Sequence, residues 1–140
     1  MAAVKGVNVT LYDANAQGDN AIDNGLIHSQ LEVWTDTYEA AALATASTID
    51  IAKLPANAKV WLIEVYHDDL GTSVTLSIGD SDDADRYLAA ASVASAGKLT
   101  SNLADGAAYV IGTNTGDDTV QLTTSGTTTG TIKSVVYYTR

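Results

Sequence analysis

Apolar and polar residues alternate along much of this chain, and the alternation has the two-residue period of a β-strand. In residues 27–35 (IHSQLEVWT), Ile27, Leu31 and Val33 fall on one face, and polar residues dominate the other. Residues 73–78 repeat the pattern, with apolar side chains at alternate positions. Both segments are predicted to be strands that bury one face, and in the first the buried face carries Leu31 and Val33.

The most apolar segment is residues 59–67 (KVWLIEVYH), which is rich in β-branched and aromatic residues. A nearly continuous apolar run of this length is typical of a strand that is buried on both faces. Residues 68–71 (DDLG) follow it and have the composition of a hairpin turn. The run is therefore predicted to be a central strand, with Trp61 and Tyr66 packed in the core.

Further strands are predicted where short apolar or β-branched stretches lie between turn residues. These are residues 4–12, 48–53, 107–112, 118–123 and 131–139. Two alanine-rich stretches, residues 38–46 and 85–96, lack a helix cap combined with an amphipathic stripe, so loop or strand is favoured over helix there. About eight strands at regular spacing predict an all-β single domain, either a β-sandwich or a jelly-roll-like barrel.

The first 25 residues differ from the remainder. Residues 13–25 (DANAQGDNAIDNG) are small or polar except for Ile22, so they bury too little surface to offset the entropy of ordering. We therefore divide the chain into an N-terminal strand and polar arm, residues 1–25, and a β-sandwich domain, residues 26–140. The strand at residues 4–12 either pairs with a neighbouring subunit as an attachment arm or pairs within its own sheet, and both alternatives stay open.

The net charge of the chain limits the classes of partner that are expected. Seventeen acidic and seven basic residues give a formal net charge of −10. Such a surface repels nucleic-acid phosphate and anionic lipid, so neither a nucleic-acid nor a membrane partner is expected. We also expect no signal peptide and no membrane-spanning helix, because no apolar run approaches about 18 residues. Cysteine is absent, which fits assembly in a cytoplasm.

An acidic loop is the strongest candidate for a metal site. Its four carboxylates are those of Asp80, Asp82, Asp83 and Asp85. Calcium prefers several hard oxygen ligands of this kind, but the helix-loop-helix calcium pattern needs a glycine at position 85 and an acid where Ala91 stands. A second partial match, residues 13–18, ends on Asn24, which does not chelate as a carboxylate does. No metal is expected at either place; the first is interpreted as an acidic surface loop in which Arg86 pairs locally.

Other chemistry is weakly represented. The two histidines, His28 and His67, lie in predicted strands and lack a third ligand for zinc. The Gly-x-Ser-x-Gly motif of hydrolases is absent, and residues 126–130 with Lys133 do not have the spacing of a phosphate loop. Carboxylate pairs of the glycoside-hydrolase kind arise by chance among seventeen acidic residues. We assign no catalytic, cofactor-binding or metal-ligating residue and expect the chain not to be an enzyme.

Exposed aromatic residues would favour a different function, because aromatic faces stack on sugars. Trp34, Tyr38 and Tyr87 are the aromatic residues expected at exposed positions. A carbohydrate-binding β-sandwich module is therefore kept as an alternative.

Six short segments carry a resemblance to a known family. They are residues 3–8 (AVKGVN), 33–38 (VWTDTY), 54–60 (LPANAKV), 77–80 (SIGD), 85–90 (DRYLAA) and 129–133 (TGTIK). In this order they resemble small head proteins of tailed bacteriophages. The segments span most of the chain, but they are patterns of strand and turn residues and carry no chemistry.

The resemblance implies a function. It implies a capsid decoration (cement) protein that is located in the virion, binds the major capsid protein on the outside of an assembled head, reinforces it, and commonly forms a homotrimer. It brings no catalytic residue with it. Another virion component, such as a tail tube, head fibre or adaptor, is the runner-up.

Overall fold

A computed structural model describes residues 30–101, 109–111 and 117–140. The strand predicted at residues 4–12, the arm of residues 13–25 and half of the strand predicted at residues 107–112 lie outside the described residues. His28 lies outside them as well.

The described residues form nine β-strands. They are β1 (Leu31–Leu43), β2 (Thr48–Leu54), β3 (Lys59–His67), β4 (Thr75–Gly79), β5 (Leu88–Ser92), β6 (Gly97–Thr100), β7 (Tyr109–Val110), β8 (Asp118–Thr124) and β9 (Thr128–Thr139). None of the described segments is a helix long and apolar enough to cross a membrane.

The strands form two antiparallel sheets. In sheet A the order is β1-β9-β3-β6, and β7 also pairs with β3; in sheet B the order is β2-β8-β4-β5. The all-β prediction is confirmed, and two separate sheets make the fold a β-sandwich and not a closed barrel. The alanine-rich stretches are strand or loop, as predicted, since β1 continues to Leu43 and β5 occupies Leu88–Ser92.

The core lies between the sheets and follows the two-residue period of each strand. In β9, Ile132, Val136 and Tyr138 are buried, and β8 contributes Val120 and Leu122 from the opposite sheet. Each strand of the core therefore supplies alternate residues to a single buried layer.

The prediction that residues 59–67 are buried on both faces is wrong. Val60, Ile63 and Val65 are fully buried, but Tyr66 on the other face is 44% exposed. The reason is that β3 lies within sheet A while sheet B covers only one of its faces. Trp61 is only partly buried for the same reason.

The prediction for the first half-buried strand is wrong about the face. Leu31 and Val33 are 54% and 52% exposed, although the alternation itself forms a strand as expected. β1 is the edge strand of sheet A, and Leu31 and Val33 project to the side that sheet B does not cover. The apolar residues therefore belong to a surface and not to the core.

Candidate functional site

The uncovered side of sheet A, here called the outer face, carries a patch of apolar side chains. Residues directly opposite each other in an antiparallel pair project to the same side. One row across the sheet runs Leu31, Thr139, Lys59, Val110, and the next runs Val33, Tyr137, Leu62. The apolar members of the patch are Leu31, Val33, Leu62, Val110, Val135 and Tyr137.

Trp61 belongs to the same patch because the β3–β9 register shifts between Val60 and Leu62. A bulge of this kind places an extra residue against its partner strand and re-aims a side chain. The indole Nε1 of Trp61 donates a 3.0 Å hydrogen bond to Oγ1 of Thr139, and Nζ of Lys59 lies 5.4 Å from the ring centroid. Trp61 thus lies beside the outer-face residues Thr139 and Lys59.

The far end of the outer face is charged and hydrogen-bonded. Nζ of Lys98 donates a 2.8 Å hydrogen bond to Glu64, and the hydroxyls of Tyr66 and Tyr137 donate to the same carboxylate at 3.4 and 3.3 Å. The hydrogen bond from Lys98, reinforced by its charge, holds the pKa of Glu64 below its ordinary value. The outer face therefore has an apolar end and a polar, charged end.

β1 concentrates the exposed apolar surface. Of the six large apolar side chains that are exposed in the described part of the chain, four lie on β1: Leu31, Val33, Trp34 and Tyr38. One edge of β1 pairs with β9, and its other edge has no strand partner among the described residues. Glu32 ties the strand to the chain end, since Arg140 donates to it at 2.7 and 2.8 Å.

The exposure predicted for Trp34 and Tyr38 is confirmed, because each is 38% exposed. The prediction for Tyr87 is wrong. Tyr87 is 1% exposed and packs edge-on against Tyr109 with ring centroids 6.0 Å apart. Its burial raises the pKa of the phenol far above the ordinary value. The sequence pattern does not separate these cases, because Tyr109, which packs against Tyr87, is distant along the chain.

The acidic loop is organised by its first carboxylate. Asp80 is buried, and its Oδ1 accepts hydrogen bonds from the backbone N–H groups of Asp82 at 3.0 Å and Asp83 at 2.9 Å. Arg86 donates to both oxygens of Asp80 and lies over the ring of Tyr109 at 4.3 Å. The local pairing of Arg86 is as predicted, but Asp80 itself is not a solvated surface group.

The loop also closes tightly over the end of β4. A Cβ on Gly79 would lie 2.1 Å from the carbonyl oxygen of Asp83, so only glycine fits there. Among the described residues, no group of three or more His, Cys, Asp or Glu side chains is placed to hold a metal ion. The absence of a metal site stays a prediction.

His67 occupies a strand interior, as predicted, and is buried. Its Nδ1 lies 2.8 Å from the backbone carbonyl oxygen of Asp68. A carbonyl oxygen only accepts, so Nδ1 carries the proton and donates. The ring therefore has a structural partner. The strand predicted at residues 131–139 begins earlier, since β9 starts at Thr128 and includes residues 128–130.

The prediction from sequence missed the apolar patch on the outer face. A signal was present, because Trp61 and Leu62 are adjacent, and Val135 and Tyr137 alternate with the buried residues of β9. A strand with apolar residues on both faces is either buried on both faces or exposes one apolar face to the surface. The sequence pattern does not distinguish these two cases.

A side cleft lies between β1 of sheet A and β2 of sheet B. Trp34 and Asp36 line it from β1, and Asp50, Lys53 and Thr119 line it from sheet B. This part of the cleft has a volume of about 280 Å³.

Comparisons with known proteins identify the fold. No family model matches the chain, and no curated protein matches it. Among solved structures, it is similar to a chain of the cyanophage Pam1 capsid asymmetric unit, with a TM-score of 0.69 and 22% identity over 99% of both chains. It is also similar to a chain in the capsid of Ralstonia phage GP4, with a TM-score of 0.65 and 18% identity over 79% of this chain and 84% of that one.

A third similar structure is the acidic stable capsid of Helicobacter pylori bacteriophage KHP30. The TM-score is 0.58 and the identity 15%, over 81% of this chain and 90% of the other. At these identities the comparisons establish a shared sandwich fold.

Proposed function

We propose that this chain is a virion structural protein, a decoration protein that binds the outside of a tailed-phage head and stabilises it. The observation that carries the proposal is the fold shared with chains of three phage capsid structures, in one case over 99% of both chains. A fold alone does not fix a function. The proposal therefore also needs a surface that can bind a shell.

The apolar end of the outer face is the proposed docking surface, and the major capsid protein is the proposed partner. Contiguous apolar residues surrounded by polar ones are typical of protein-binding surfaces. Here Lys59, Glu64 and Thr35 border the apolar rows. Many copies on one shell bind with avidity, so the affinity of each single contact can be modest.

We further propose that the protein forms a homotrimer on the particle. One edge of β1 has no strand partner among the described residues. This edge supports association, because a long edge strand is an aggregation hazard unless a partner covers it. The N-terminal strand of a neighbouring copy, residues 4–12, is the proposed partner of such an edge. None of these roles requires a catalytic residue or a cofactor.

The experiment is a cryo-electron microscopy reconstruction of particles of the phage that encodes this chain, before and after removal of the gene. We expect trimeric density for the sandwich on the outside of the head, lost in the deletion particles and restored by adding the purified protein. Heating both kinds of particle measures reinforcement, and the deletion particles should release their genome at a lower temperature. Density in the tail, or no density on the head, would overturn the proposal in favour of another virion component.

A further inference from the structure

The side cleft between β1 and β2 combines aromatic and acidic side chains. Trp34, Asp36 and Tyr38 reach it from the inner side of β1, where their cross-strand partners are Val136, Ser134 and Ile132. They extend past the cover of sheet B, which is why both aromatic rings are 38% exposed.

Two carboxylates enter the cleft, and neither has a basic partner among the described residues. Oδ1 of Asp36 accepts a 2.7 Å hydrogen bond from the backbone N–H of Thr37, and Oδ1 of Asp50 accepts a 2.8 Å hydrogen bond from Gln121. In the part of the chain that the structure describes, neither aspartate forms an ion pair. Lys53 lines the outer part of the cleft but does not come within 4.0 Å of either carboxylate.

A buried hydroxyl at the base of the cleft adds an independent observation. Ser134 is 3% exposed and lines the inner recess together with Asp36, Tyr38 and Asp50. Its Oγ has no hydrogen-bond partner among the described residues. Buried polar groups in folded proteins are nearly always hydrogen-bonded. The unsatisfied hydroxyl of Ser134, a residue in the wall of the recess, is therefore available to a donor group that enters there.

We propose that this cleft binds the cationic side chain of an arginine presented by a partner protein. A guanidinium is planar, stacks on aromatic rings and donates up to five hydrogen bonds in a fixed arrangement. Trp34 offers a ring in the outer part of the cleft, and Tyr38 offers one in the inner recess. Asp36 and Asp50 line both parts and offer oxygen acceptors, to which the recess adds Ser134. The inference goes beyond the proposed function, because it specifies the chemistry of a partner residue at a different surface and holds whether or not the partner is a capsid protein.

An alternative ligand class is a neutral sugar, which also stacks on aromatic rings and bonds to carboxylates. The two unpaired carboxylates favour the cation. Charge-assisted hydrogen bonds to a guanidinium are about twice as strong as neutral ones. Each aspartate retains one oxygen without a hydrogen bond from the described residues, which suits a bidentate donor.

The test is a titration followed by ¹⁵N NMR with acetyl-arginine-N-methylamide, and acetyl-citrulline-N-methylamide is the neutral control of the same shape. The chain has two tryptophans, so the indole N–H of Trp34 reports on the cleft and that of Trp61 is the internal reference. We expect a saturable shift of the Trp34 signal with the arginine compound, a response at least about tenfold weaker with the citrulline compound, and no shift of Trp61.

Variants make the result specific. Asp36→Asn and Asp50→Asn should each weaken binding of the arginine compound several-fold, and Ser134→Ala should weaken it by a smaller factor. Asp82→Asn is the matched control, because it also removes one exposed carboxylate but lies in the acidic loop, and it should bind as the parent does. Equal responses to the two compounds, binding that survives Asp36→Asn combined with Asp50→Asn, or a saturable Trp34 shift with maltose but not with the arginine compound would overturn the proposal.

Discussion

The outer surfaces of the two sheets differ in chemistry although both sheets contribute to the same core. The outer face of sheet A presents Leu31, Val33 and Tyr137 in adjacent rows. The corresponding face of sheet B presents cross-strand pairs of small polar residues, such as Thr48 opposite Thr123. Core packing alone leaves both surfaces free to be polar. The apolar outer face of sheet A is therefore the one that the proposed function assigns to binding, and the polar outer face of sheet B serves as its comparison.

The largest expected effect is on binding to the particle, and it comes from making the outer face of sheet A polar like that of sheet B. Combining Leu31→Asp with Val33→Asp should reduce binding to the particle about a hundredfold or more, because two carboxylates without partners would be buried in an apolar contact. Binding is measured by cosedimentation of purified protein with deletion particles.

The matched control places two aspartates on sheet B, Thr48→Asp with Ser92→Asp, both at exposed positions. It should bind normally, and urea unfolding should show both double variants folded. Equal loss of binding in the two would mean that added negative charge, and not the apolar patch, determines attachment.

Deleting residues 2–24 should have the next largest effect. If these residues form an attachment arm, the shortened protein keeps its unfolding transition but no longer forms trimers or joins the particle. Light scattering and cosedimentation measure the two losses. A variant in which residues 13–24 are replaced by a glycine–serine linker of equal length should behave as the parent does.

A shortened protein that does not fold would contradict the arm hypothesis. The strand at residues 4–12 would then belong to the protein's own sheet, which is the alternative that the sequence leaves open.

Two ion pairs, one with a buried carboxylate and one largely exposed, should contribute differently to stability. Arg86→Met removes the partner of Asp80, which is 4% exposed, and should lower the free energy of unfolding by about 2–3 kcal/mol, because a buried charge is left poorly compensated. Lys98→Met removes the exposed partner of Glu64 on sheet A, where solvent screens the pair, and should change stability little. Urea unfolding at neutral pH measures both, and a larger loss for Lys98→Met would contradict the assignment.

Carboxylates of the two sheets should also affect the pH dependence of folding stability in opposite directions. Lys98 lowers the pKa of Glu64, and Arg140 lowers that of Glu32. Both carboxylates of sheet A therefore stabilise the fold at a pH above their ordinary pKa of 4.5, and this stabilisation is lost as the pH falls through the lowered pKa. Burial raises the pKa of Asp118 in sheet B, so its ionised form opposes folding near neutral pH.

Glu64→Gln should therefore flatten the loss of stability in acid, and Asp118→Asn should raise the unfolding midpoint slightly at pH 7 and lose this advantage in acid. Denaturant unfolding between pH 3 and 7 measures both. A steeper loss of stability in acid for Glu64→Gln, or an advantage of Asp118→Asn that grows as the pH falls, would contradict the directions of the pKa shifts.

The last prediction is that calcium has no effect on thermal stability. Excess calcium followed by chelator should leave the melting temperature unchanged, because Asp80 already bonds to Arg86 and to two backbone N–H groups. A ligand at a hundredfold excess over its dissociation constant stabilises by about 2.7 kcal/mol, so a shift of several degrees would reveal a calcium site.

Much of the fold follows from local pattern. The period of two predicts the strands at β3, β4, β8 and β9 close to their bounds, because alternation and turn residues are properties of neighbouring positions. Sequence pattern does not predict which sheet faces which. For that reason the side on which Leu31 and Val33 lie was predicted wrongly, and Tyr66 was placed in the core.

The side cleft was beyond sequence reasoning for a similar reason. Asp36 and Asp50 are fourteen positions apart and belong to different sheets, and Ser134 meets them only through the β1–β9 register. The sequence predicts exposure of Trp34 and Tyr38, together with Tyr87, because they lie outside the most apolar strand. Their neighbours in space come from tertiary pairing, which periodicity does not encode.

The antiparallel pairing of β1 with β9 also determines how the domain responds to force. Leu31 lies opposite Thr139, so the start of β1 and the chain end leave the sheet at the same place. Tension applied between residues 31 and 140 would peel this ladder one rung at a time, whereas tension between residues 43 and 140 would shear all its rungs together. A shell that swells pulls on its bound proteins, and an attachment that loads β1 from the Leu43 end would resist that pull far better than one that loads it from Leu31.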